Sequence, residues 1–263
     1  MNLPGKEKLN LSVVVLTKNE ERNIQDCLQS VTGFADEIVV VDDESLDKTV
    51  QIASLYTGRI IVRKMDIEGR QRNFAYAQAQ NQWVLSLDAD ERLTEDLKSE
   101  IREALNTQLK YNGFTIPRRN FIGGYWVRYG GWYPSAQLKL FKKDKFRYEE
   151  VGVHPRAFMD DPCGHLKKDL IHYSYRNLED FLGKLNNQTT REAQKWLSQN
   201  KPMTLVRFIY RSIDRFLRTY IGRKGYRDGF IGLAVAFYAS LYQFISYLKY
   251  KELIIYQERM RPK

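Results

Sequence analysis

Polar and acidic side chains follow three apolar runs of this 263-residue chain, at the points where the runs end. They are Thr17, Asn19 and Glu20 after LSVVVL, Asp42 and Asp43 after EIVVV, and Asp88 and Asp90 after WVLSL. Divalent ions such as Mg2+ and Mn2+ bind one or two carboxylates together with substrate phosphate oxygens. The pattern therefore predicts a site for a divalent ion and a phosphorylated ligand, with Asp88 and Asp90 as the metal-binding pair. Taken singly, each cluster is also compatible with a helix cap or a solvated turn.

The elements that must position these residues are predicted strands alternating with predicted helices, which differ in the spacing of their apolar residues. Short β-branched runs are typical of buried parallel strands, and apolar residues spaced three or four apart indicate helices. Strands are predicted over 11–16, 37–41, 59–62 and 83–87, and helices over 19–31, 47–56 and 69–80. This alternation indicates βαβ units and a parallel sheet. In such sheets ligands bind at the carboxyl ends of the strands, where the three polar clusters fall.

Several other site types are excluded by what the sequence lacks. There is no GxGxxG after the first strand and no GxxxxGK[ST], which argues against dinucleotide oxidoreductases and P-loop NTPases. The two cysteines, Cys27 and Cys163, form no CxxC pair, so neither a disulfide framework nor a thiolate zinc site is expected. The spacing of His154, His165 and His172 around Cys163 matches no usual zinc pattern and indicates structural or substrate-contacting roles.

Four ordered motifs carry a resemblance to a known family: Thr-x-Asn-Glu after the first strand, VVVDDESLDKT, Gln71-Arg72-Asn73 and LDADE. Together they resemble the family 2 glycosyltransferases of the GT-A fold. Later segments resemble bacterial lipopolysaccharide-core β-glucosyltransferases, namely GWYPSAQLKLF, VGVHP, HYSY and GYRDGFIGL. The resemblance implies an α/β, Rossmann-like fold that binds a nucleotide sugar on a mainly parallel sheet. A C-terminal helical, membrane-associating extension is expected to follow this fold.

The resemblance also implies roles for the polar clusters. Thr17, Asn19 and Glu20 would line the nucleotide pocket, and Asp42 with Asp43 would contact the base and ribose. Arg72 would lie near the diphosphate, and Asp88 and Asp90 would form the DxD motif, with Asp90 as the direct metal ligand. The implied donor is a nucleoside diphosphate sugar, with a UDP-sugar favoured. A bound Mg2+ or Mn2+ would offset the charge that develops on the departing diphosphate.

Inverting sugar transfer needs a base that takes the proton of the acceptor hydroxyl. The resemblance implies a carboxylate downstream of the DxD motif. This chain departs from the subgroup at two such positions: Pro155 follows His154 where the subgroup has glutamate, and Ser135 follows Tyr-Pro where the subgroup has aspartate. Glu149 and Glu150 are the substitute candidates, with His154 as a further one. The glutamates are equally compatible with a solvated charge pair.

The residue composition of the chain changes after about residue 110. Glycine and aromatic residues dominate residues 121–133, which predicts either a platform for sugar rings or part of the core. A catalytic domain is predicted over 1–176, with a donor half to about 110 and an acceptor half over 111–176. A helical extension is predicted over 177–263.

The net charge of +10 belongs to the end of the chain, because residues 201–263 hold 13 basic and 4 acidic residues. Residues 205–220 have the pattern of a basic amphipathic helix, a type that binds membrane interfaces. Its basic residues are Arg207, Arg211, Arg215 and Arg218. Residues 230–248 carry no charge but hold Gln243 and several serines and tyrosines. An in-plane or helix-packing segment is favoured there over a membrane span, with a core helix as the alternative.

The leading hypothesis is therefore an inverting, metal-dependent glycosyltransferase on the inner face of the cytoplasmic membrane. It would move a hexose, with glucose favoured, to a membrane-associated glycan or glycolipid such as lipopolysaccharide core. The polar N-terminus lacks an apolar leader, which favours the cytoplasm. A nucleotidyltransferase and a nucleic-acid-binding protein are the alternatives, although no nucleic-acid-binding signature is evident. Oligomerisation through the C-terminal helices is left open.

Overall fold

A computed structural model describes residues 8–107, 110–151, 156–199 and 203–259 of the chain. By their contacts the residues form two compact units. We call Met1–Arg118 with Ala136–His172 the sheet unit, and Arg119–Ser135 with Tyr173–Lys263 the helical unit. The predicted domain division at residue 176 stays a prediction. The proline at position 202 predicts a helix boundary, but Pro202 lies outside the described residues.

The sheet unit is built on a seven-stranded sheet with the order β12-β6-β9-β4-β1-β2-β3. These strands are β1 (Leu11–Thr17), β2 (Glu37–Asp42), β3 (Ile60–Val62), β4 (Trp83–Asp88), β6 (Gly113–Ile116), β9 (Gln137–Lys142) and β12 (Cys163–His165). Four of its six strand pairings are parallel, and β9 is antiparallel to both of its neighbours. The predicted α/β fold with a mainly parallel sheet is confirmed.

Helices and short strands complete the sheet unit. They are α1 (Ile24–Val31), α2 (Thr49–Ala53), α3 (Glu68–Ala77), α4 (Glu95–Thr107), β5 (Glu91–Leu93), β10 (Phe146–Tyr148) and β11 (Ala157–Met159). The helix predicted over 47–56 is shorter than expected. Its residues after Ala53 form turns, and Thr57 donates its hydroxyl to the carbonyl of Ile38 on β2. The helix predicted from residue 19 begins only at Ile24, because Asn19 takes part in a turn.

The sequence explains why the sheet lies at the centre of this unit. β1 and β4 consist almost entirely of buried residues, most of them apolar, as expected for strands covered on both faces. α1 turns Ile24, Leu28 and Val31 onto one face, and all three are fully buried in the same cluster as Val13. Burial of these apolar side chains therefore stabilises the sheet, and the sheet fixes the positions of the residues at its strand ends.

The helical unit holds the elements β7 (Arg118–Ile122), β8 (Tyr125–Val127), the end of β13 (Leu170–Tyr175), α5 (Leu178–Ser198), α6 (Leu205–Leu217) and α7 (Gly229–Arg259). Helix was expected from residue 177 onward, and α5 to α7 confirm this. Asp228, buried just before α7, accepts hydrogen bonds from the backbone N–H groups of Arg128 and Tyr129 at 3.1 and 2.8 Å. It thereby joins the start of α7 to the loop after β8.

The aromatic segment 121–133 is divided between the core and the surface of the helical unit. Ile122 and Val127 are buried with Phe181 of α5, whereas Tyr125 and Tyr133 are exposed. The guanidinium groups of Arg119 and Arg128 lie over the Trp126 ring, at 5.0 and 4.4 Å from its centroid. The role of residues 121–133 as a platform for sugar rings stays a prediction.

Among the described residues, one helix is long and apolar enough to cross a membrane, the segment Gly225–Gln257, which includes α7 up to Gln257. In its most apolar 18-residue window, 33% of the residues are buried within the protein. The length and composition of this helix thus permit a membrane span, and a core helix of a soluble protein would meet the same two criteria.

Candidate active site

A cluster of acidic side chains forms where β4 ends and β5 begins. β4 carries its apolar residues into the core and ends at Asp88, and a tight turn through Ala89 and Asp90 leads to Glu91. The Asp88 N–H donates to Glu91 Oε2 at 2.9 Å, which fixes this turn. Glu91 is fully buried, so its carboxylate needs a compensating cation.

Lys139 on β9 supplies that cation. Its Nζ lies 2.7 Å from Glu91 Oε2 and 2.9 Å from Asp88 Oδ2, and its side chain is buried. Burial by itself lowers the pKa of a lysine, but Asp88 and Glu91 hold the pKa of Lys139 above its usual value. Lys139 therefore carries a permanent charge between the two carboxylates.

A second cation, Arg72 of α3, reaches Asp88 from the other side. Arg72 Nη2 lies 3.2 Å from Asp88 Oδ1, and Arg72 Nε lies 3.1 Å from Glu68 Oε1. The guanidinium also lies over the ring of Tyr148, at 5.5 Å from its centroid. Burial by itself would raise the pKa of Asp88, but Lys139 and then Arg72 hold it far below its usual value. Asp88 is therefore ionised and engaged by two cations.

Asp90 has a different environment. Its Oδ2 lies 3.5 Å from Nε2 of His172 on β13, and its Oδ1 is buried with no hydrogen-bond partner among the described residues. An unpartnered buried carboxylate oxygen is costly, so this atom is suited to a cation that arrives with a ligand. Within the described ranges, no group of three or more His, Cys, Asp or Glu side chains is arranged to hold a metal ion. Mg2+ or Mn2+ bound here would need oxygen ligands from substrate and water, as is usual for these ions.

These side chains line one cavity of about 370 Å³ within the sheet unit. Its lining residues are Glu68, Arg72, Asp88, Asp90, Arg118, Gln137, Lys139, Tyr148 and His172. Arg118 Nη1 lies 3.5 Å from Glu91 Oε1, so three cationic residues surround the acidic cluster. The cavity can thus receive a polyanion that brings a divalent ion.

The residues predicted to hold the nucleotide lie at the carboxyl ends of β1 and β2, where Thr17 and Asp42 are register partners. Asn19 has a φ of 52°, a left-handed conformation that asparagine tolerates. Its N–H donates to Ser45 Oγ and its Oδ1 accepts from the Leu46 N–H, both at 2.8 Å. Asn19 therefore ties the turn after β1 to the turn after β2.

The other predicted nucleotide contacts lie around these turns. Asp42 accepts the Ser45 N–H at 2.8 Å, and Glu20 accepts Asn23 Nδ2 at 2.7 Å. Asp43 Oδ2 lies 2.7 Å from Lys18 Nζ. Burial by itself raises the pKa of Asp43, but hydrogen bonds from Lys18 and the Met65 N–H lower it overall. Thr17 Oγ1 is buried, and no described residue hydrogen-bonds to it.

Of the predicted base candidates, neither Glu149 nor Glu150 lines the cavity. Glu150 accepts hydrogen bonds from Arg70 Nε at 3.3 Å and Asn73 Nδ2 at 3.4 Å, and half of its side chain is exposed. Glu149 Oε2 accepts the Arg156 N–H at 3.4 Å. His154 lies outside the described residues. The assignment of a base to these three residues stays a prediction.

Lys139 and His172 are the residues that the sequence analysis missed. Lys139 is a charge in the middle of the alternating segment QLKLF, which is the available signal for a buried ion pair. His172 was grouped with Cys163 and His165, but His165 Nδ1 instead lies 2.7 Å from Thr115 Oγ1. Only the fold brings His172 to Asp90, since 81 residues separate the two positions along the chain.

Comparison with known proteins gives consistent matches. Residues 12–160 match the family model described as glycosyl transferase family 2. An uncharacterized glycosyltransferase of Rickettsia typhi is 27% identical over 261 residues, covering 92% of this chain and 87% of the relative. The lipopolysaccharide core biosynthesis glycosyltransferase LpsC of Rhizobium meliloti is 26% identical over 249 residues, covering 92% of each chain. Among solved structures, Staphylococcus aureus TarS 1–349 in complex with UDP is similar at a TM-score of 0.47 and 20% identity, covering 82% of this chain and 74% of that one.

Proposed function

The chain belongs to glycosyl transferase family 2, and from this membership we propose that it is an inverting enzyme that transfers a hexose, with glucose favoured, from a nucleoside diphosphate sugar. The expected family is thereby confirmed, and it favours glycosyl transfer over the nucleotidyltransferase and nucleic-acid-binding alternatives. The observation that carries the proposal is the cavity in which Asp90 keeps an unpartnered oxygen beside three cationic residues.

The donor is proposed to bind along the carboxyl ends of the parallel strands. Its nucleoside, with uridine favoured, would contact Thr17 and the turns built by Asn19, Glu20, Asp42 and Asp43. The buried Thr17 hydroxyl supports this placement, because a ligand would supply the partner that this group lacks. The register of β1 against β2 supports it further, since the two turns lie at the same sheet edge.

The diphosphate is proposed to lie in the cavity, near Arg72, Lys139 and Arg118. Asp90, with His172 beside it, is proposed to hold Mg2+ or Mn2+, while Asp88 stays bound to its two cations. A bound divalent ion would act as a Lewis acid that offsets charge on the leaving diphosphate. The fixed cations of the chain add to that stabilisation, because they are already oriented before the reaction begins. Glu149, Glu150 and His154 remain the candidates for the base.

The acceptor is proposed to be a membrane-associated glycan or glycolipid, such as lipopolysaccharide core. The similarity to LpsC supports this acceptor class, because that relative is named for lipopolysaccharide core biosynthesis. The long apolar helix and the basic C-terminal segment support a peripheral location on the inner face of the cytoplasmic membrane.

Equilibrium binding of nucleoside diphosphate sugars by calorimetry, with Mn2+ or with EDTA, tests the central claim. We expect UDP-sugars to bind with Mn2+ and Asp90→Ala to weaken that binding by about 10- to 100-fold. The matched control is Asp96→Ala, because the Asp96 side chain is 77% exposed and lies outside the cavity. If the folded chain binds no nucleoside diphosphate sugar under any of these conditions, the proposal is wrong.

A further inference from the structure

The exposed face of α7 is apolar. Phe230, Leu233, Phe237, Phe244 and Leu248 recur three, four or seven residues apart and are each between 42% and 71% exposed. This spacing places them along one stripe of the helix. The opposite side buries polar Gln243 and Ser246 against the rest of the helical unit. The buried side also holds the apolar residues Val235, Ala236 and Tyr247, so α7 is largely apolar on both sides, and its exposed face calls for an apolar partner.

α6 carries a second exposed apolar stripe. Val206, Ile209, Ile213 and Leu217 are between 46% and 78% exposed and recur three or four residues apart. Phe208 of α6 packs between the helices, with its ring stacked at 4.5 Å from Tyr247 and lying 5.4 Å from Phe244. Because Phe244 also belongs to the exposed stripe of α7, that stripe borders α6.

The positive charge around α6 indicates the chemistry of the partner that would cover these apolar stripes. Arg207, Arg211 and Arg215 follow one side of α6, and Arg218 continues that side directly after the helix; the net charge of residues 201–263 is +9. Burial, followed by repulsion from Arg207 and Arg215, lowers the pKa of Arg211. Asp214 pairs with Arg218 at 2.9 Å, and Glu192 of α5 partly offsets the charge of Arg211, so basic side chains outnumber acidic ones along this side of α6. Apolar stripes beside a concentrated positive charge match the surface of an anionic bilayer.

Packing against α5 argues that α7 does not cross that bilayer. Lys249 Nζ donates to Asn186, Thr189 and Thr190 of α5 at distances of 2.6 to 3.1 Å. Trp196 of α5 packs edge-on against Tyr250. α5 has charged side chains along its length, at Glu179, Asp180, Lys184, Arg191, Glu192 and Lys195. If α7 entered the hydrocarbon core, either these contacts would break or α5 would carry its charges into lipid, and both are costly.

We propose that the helical unit binds the surface of an anionic phospholipid bilayer as an in-plane module. The apolar stripes of α6 and α7 enter the interface, the arginines of α6 attract the lipid phosphates, and neither helix spans the membrane. This inference deepens the proposed function, because it rests on an acceptor held at the same membrane.

Flotation of the full-length chain with vesicles tests the partner. We expect binding to vesicles of phosphatidylcholine with phosphatidylglycerol, weaker binding to phosphatidylcholine alone, and loss of binding at high salt. The double variant Leu233→Ser with Phe237→Ser should weaken binding about tenfold or more. The matched control is Leu46→Ser with Leu55→Ser, which removes two exposed apolar side chains from the sheet unit and should leave binding unchanged.

The depth of labels attached to α7 tests the orientation. Cysteines introduced by F230C, F244C and I255C, in a C163S background, would carry a fluorophore quenched by lipids brominated at known depths. Phe230 and Ile255 are about 37 Å apart along a helix that rises 1.5 Å per residue. An in-plane helix puts all three labels at one shallow depth, whereas a span puts the Phe244 label near the centre of a hydrocarbon core about 30 Å thick.

Either of two results overturns the inference. One is a Phe244 label far deeper than the other two, which would make α7 a span. The other is a chain that ignores anionic vesicles but self-associates in solution until L233S/F237S makes it monomeric, which would make the stripes a contact between copies. Donor binding is measured without vesicles, so the proposed function can hold or fail separately from this inference.

Discussion

Replacing Lys139 by methionine should destabilise the protein more than any exposed lysine substitution. The change keeps the length and packing of the side chain but removes the charge that compensates Glu91 and Asp88. Asp88 keeps Arg72 at 3.2 Å and is partly exposed. Glu91 is fully buried and would keep the guanidinium of Arg118, whose Nη1 lies 3.5 Å from Glu91 Oε1 and is thus more distant than Lys139 Nζ. Most of the loss should therefore come from the uncompensated charge of Glu91.

Removing one partner of a buried ion pair costs about 3–5 kcal/mol, because the remaining charge stays buried without its partner. We expect Lys139→Met to lower the free energy of unfolding by that amount. Equilibrium urea unfolding, followed by circular dichroism, measures it. Lys168→Met is the matched control, since the Lys168 side chain is 52% exposed and lies 3.6 Å from Asp96, and it should change stability by no more than about 0.5 kcal/mol.

A double variant separates the ion pair from simple loss of packing. Glu91→Gln can still accept the Asp88 N–H but no longer needs a cation. Lys139→Met combined with Glu91→Gln should therefore cost less than the sum of the two single changes, by about 0.5–3 kcal/mol. Strict additivity, or a Lys139→Met variant as stable as Lys168→Met, would refute the view that Lys139 compensates the acidic cluster.

Three further predictions concern other groups. Asp43 has a lowered pKa, so its ionised form adds stability above about pH 4 that is lost as the pH falls; Asp43→Asn should make unfolding less sensitive to pH between about 5 and 3. Asp228→Ala should cost about 1–3 kcal/mol and speed hydrogen exchange at the two backbone amides that it accepts from; unchanged exchange would contradict its joining role. If Glu149 or Glu150 is the base, its glutamine variant should lose about 100-fold or more in turnover while donor affinity stays unchanged. A variant that folds and transfers sugar at the wild-type rate removes that residue.

Three strands of the sheet unit were predictable because each is a local run of mostly apolar, buried residues. β1, β2 and β4 begin at the residues expected and extend one residue further, to Thr17, Asp42 and Asp88. Helix ends were less predictable, since Asn19 and Thr57 hydrogen-bond to residues that are distant along the chain. Side chains such as asparagine and threonine compete with helical hydrogen bonds in this way, and spacing alone does not reveal their partners.

The acidic cluster shows where sequence reasoning reaches its limit. The carboxyl-end rule placed Asp88 and Asp90 together, and the resemblance named them as a pair. Their cationic partner Lys139 comes from β9, an antiparallel strand inserted beside β4, and nothing in the alternation of the first hundred residues predicts that insertion. Long-range pairing of this kind depends on the whole fold, so it is read from the structure and not from local periodicity.

The two aspartates of the motif are chemically unequal although one residue separates them. Asp88 is ionised and engaged by Lys139 and Arg72, so a metal ion would have to compete with two fixed cations for its oxygens. Asp90 offers a buried oxygen, Oδ1, that no described residue hydrogen-bonds, and His172 lies beside its other oxygen, so the same ion would find Oδ1 unengaged. Because the local charges around a carboxylate decide which cation it accepts, this environment supports the proposal that Asp90 would hold the metal ion and that Asp88 would hold the cations facing the diphosphate.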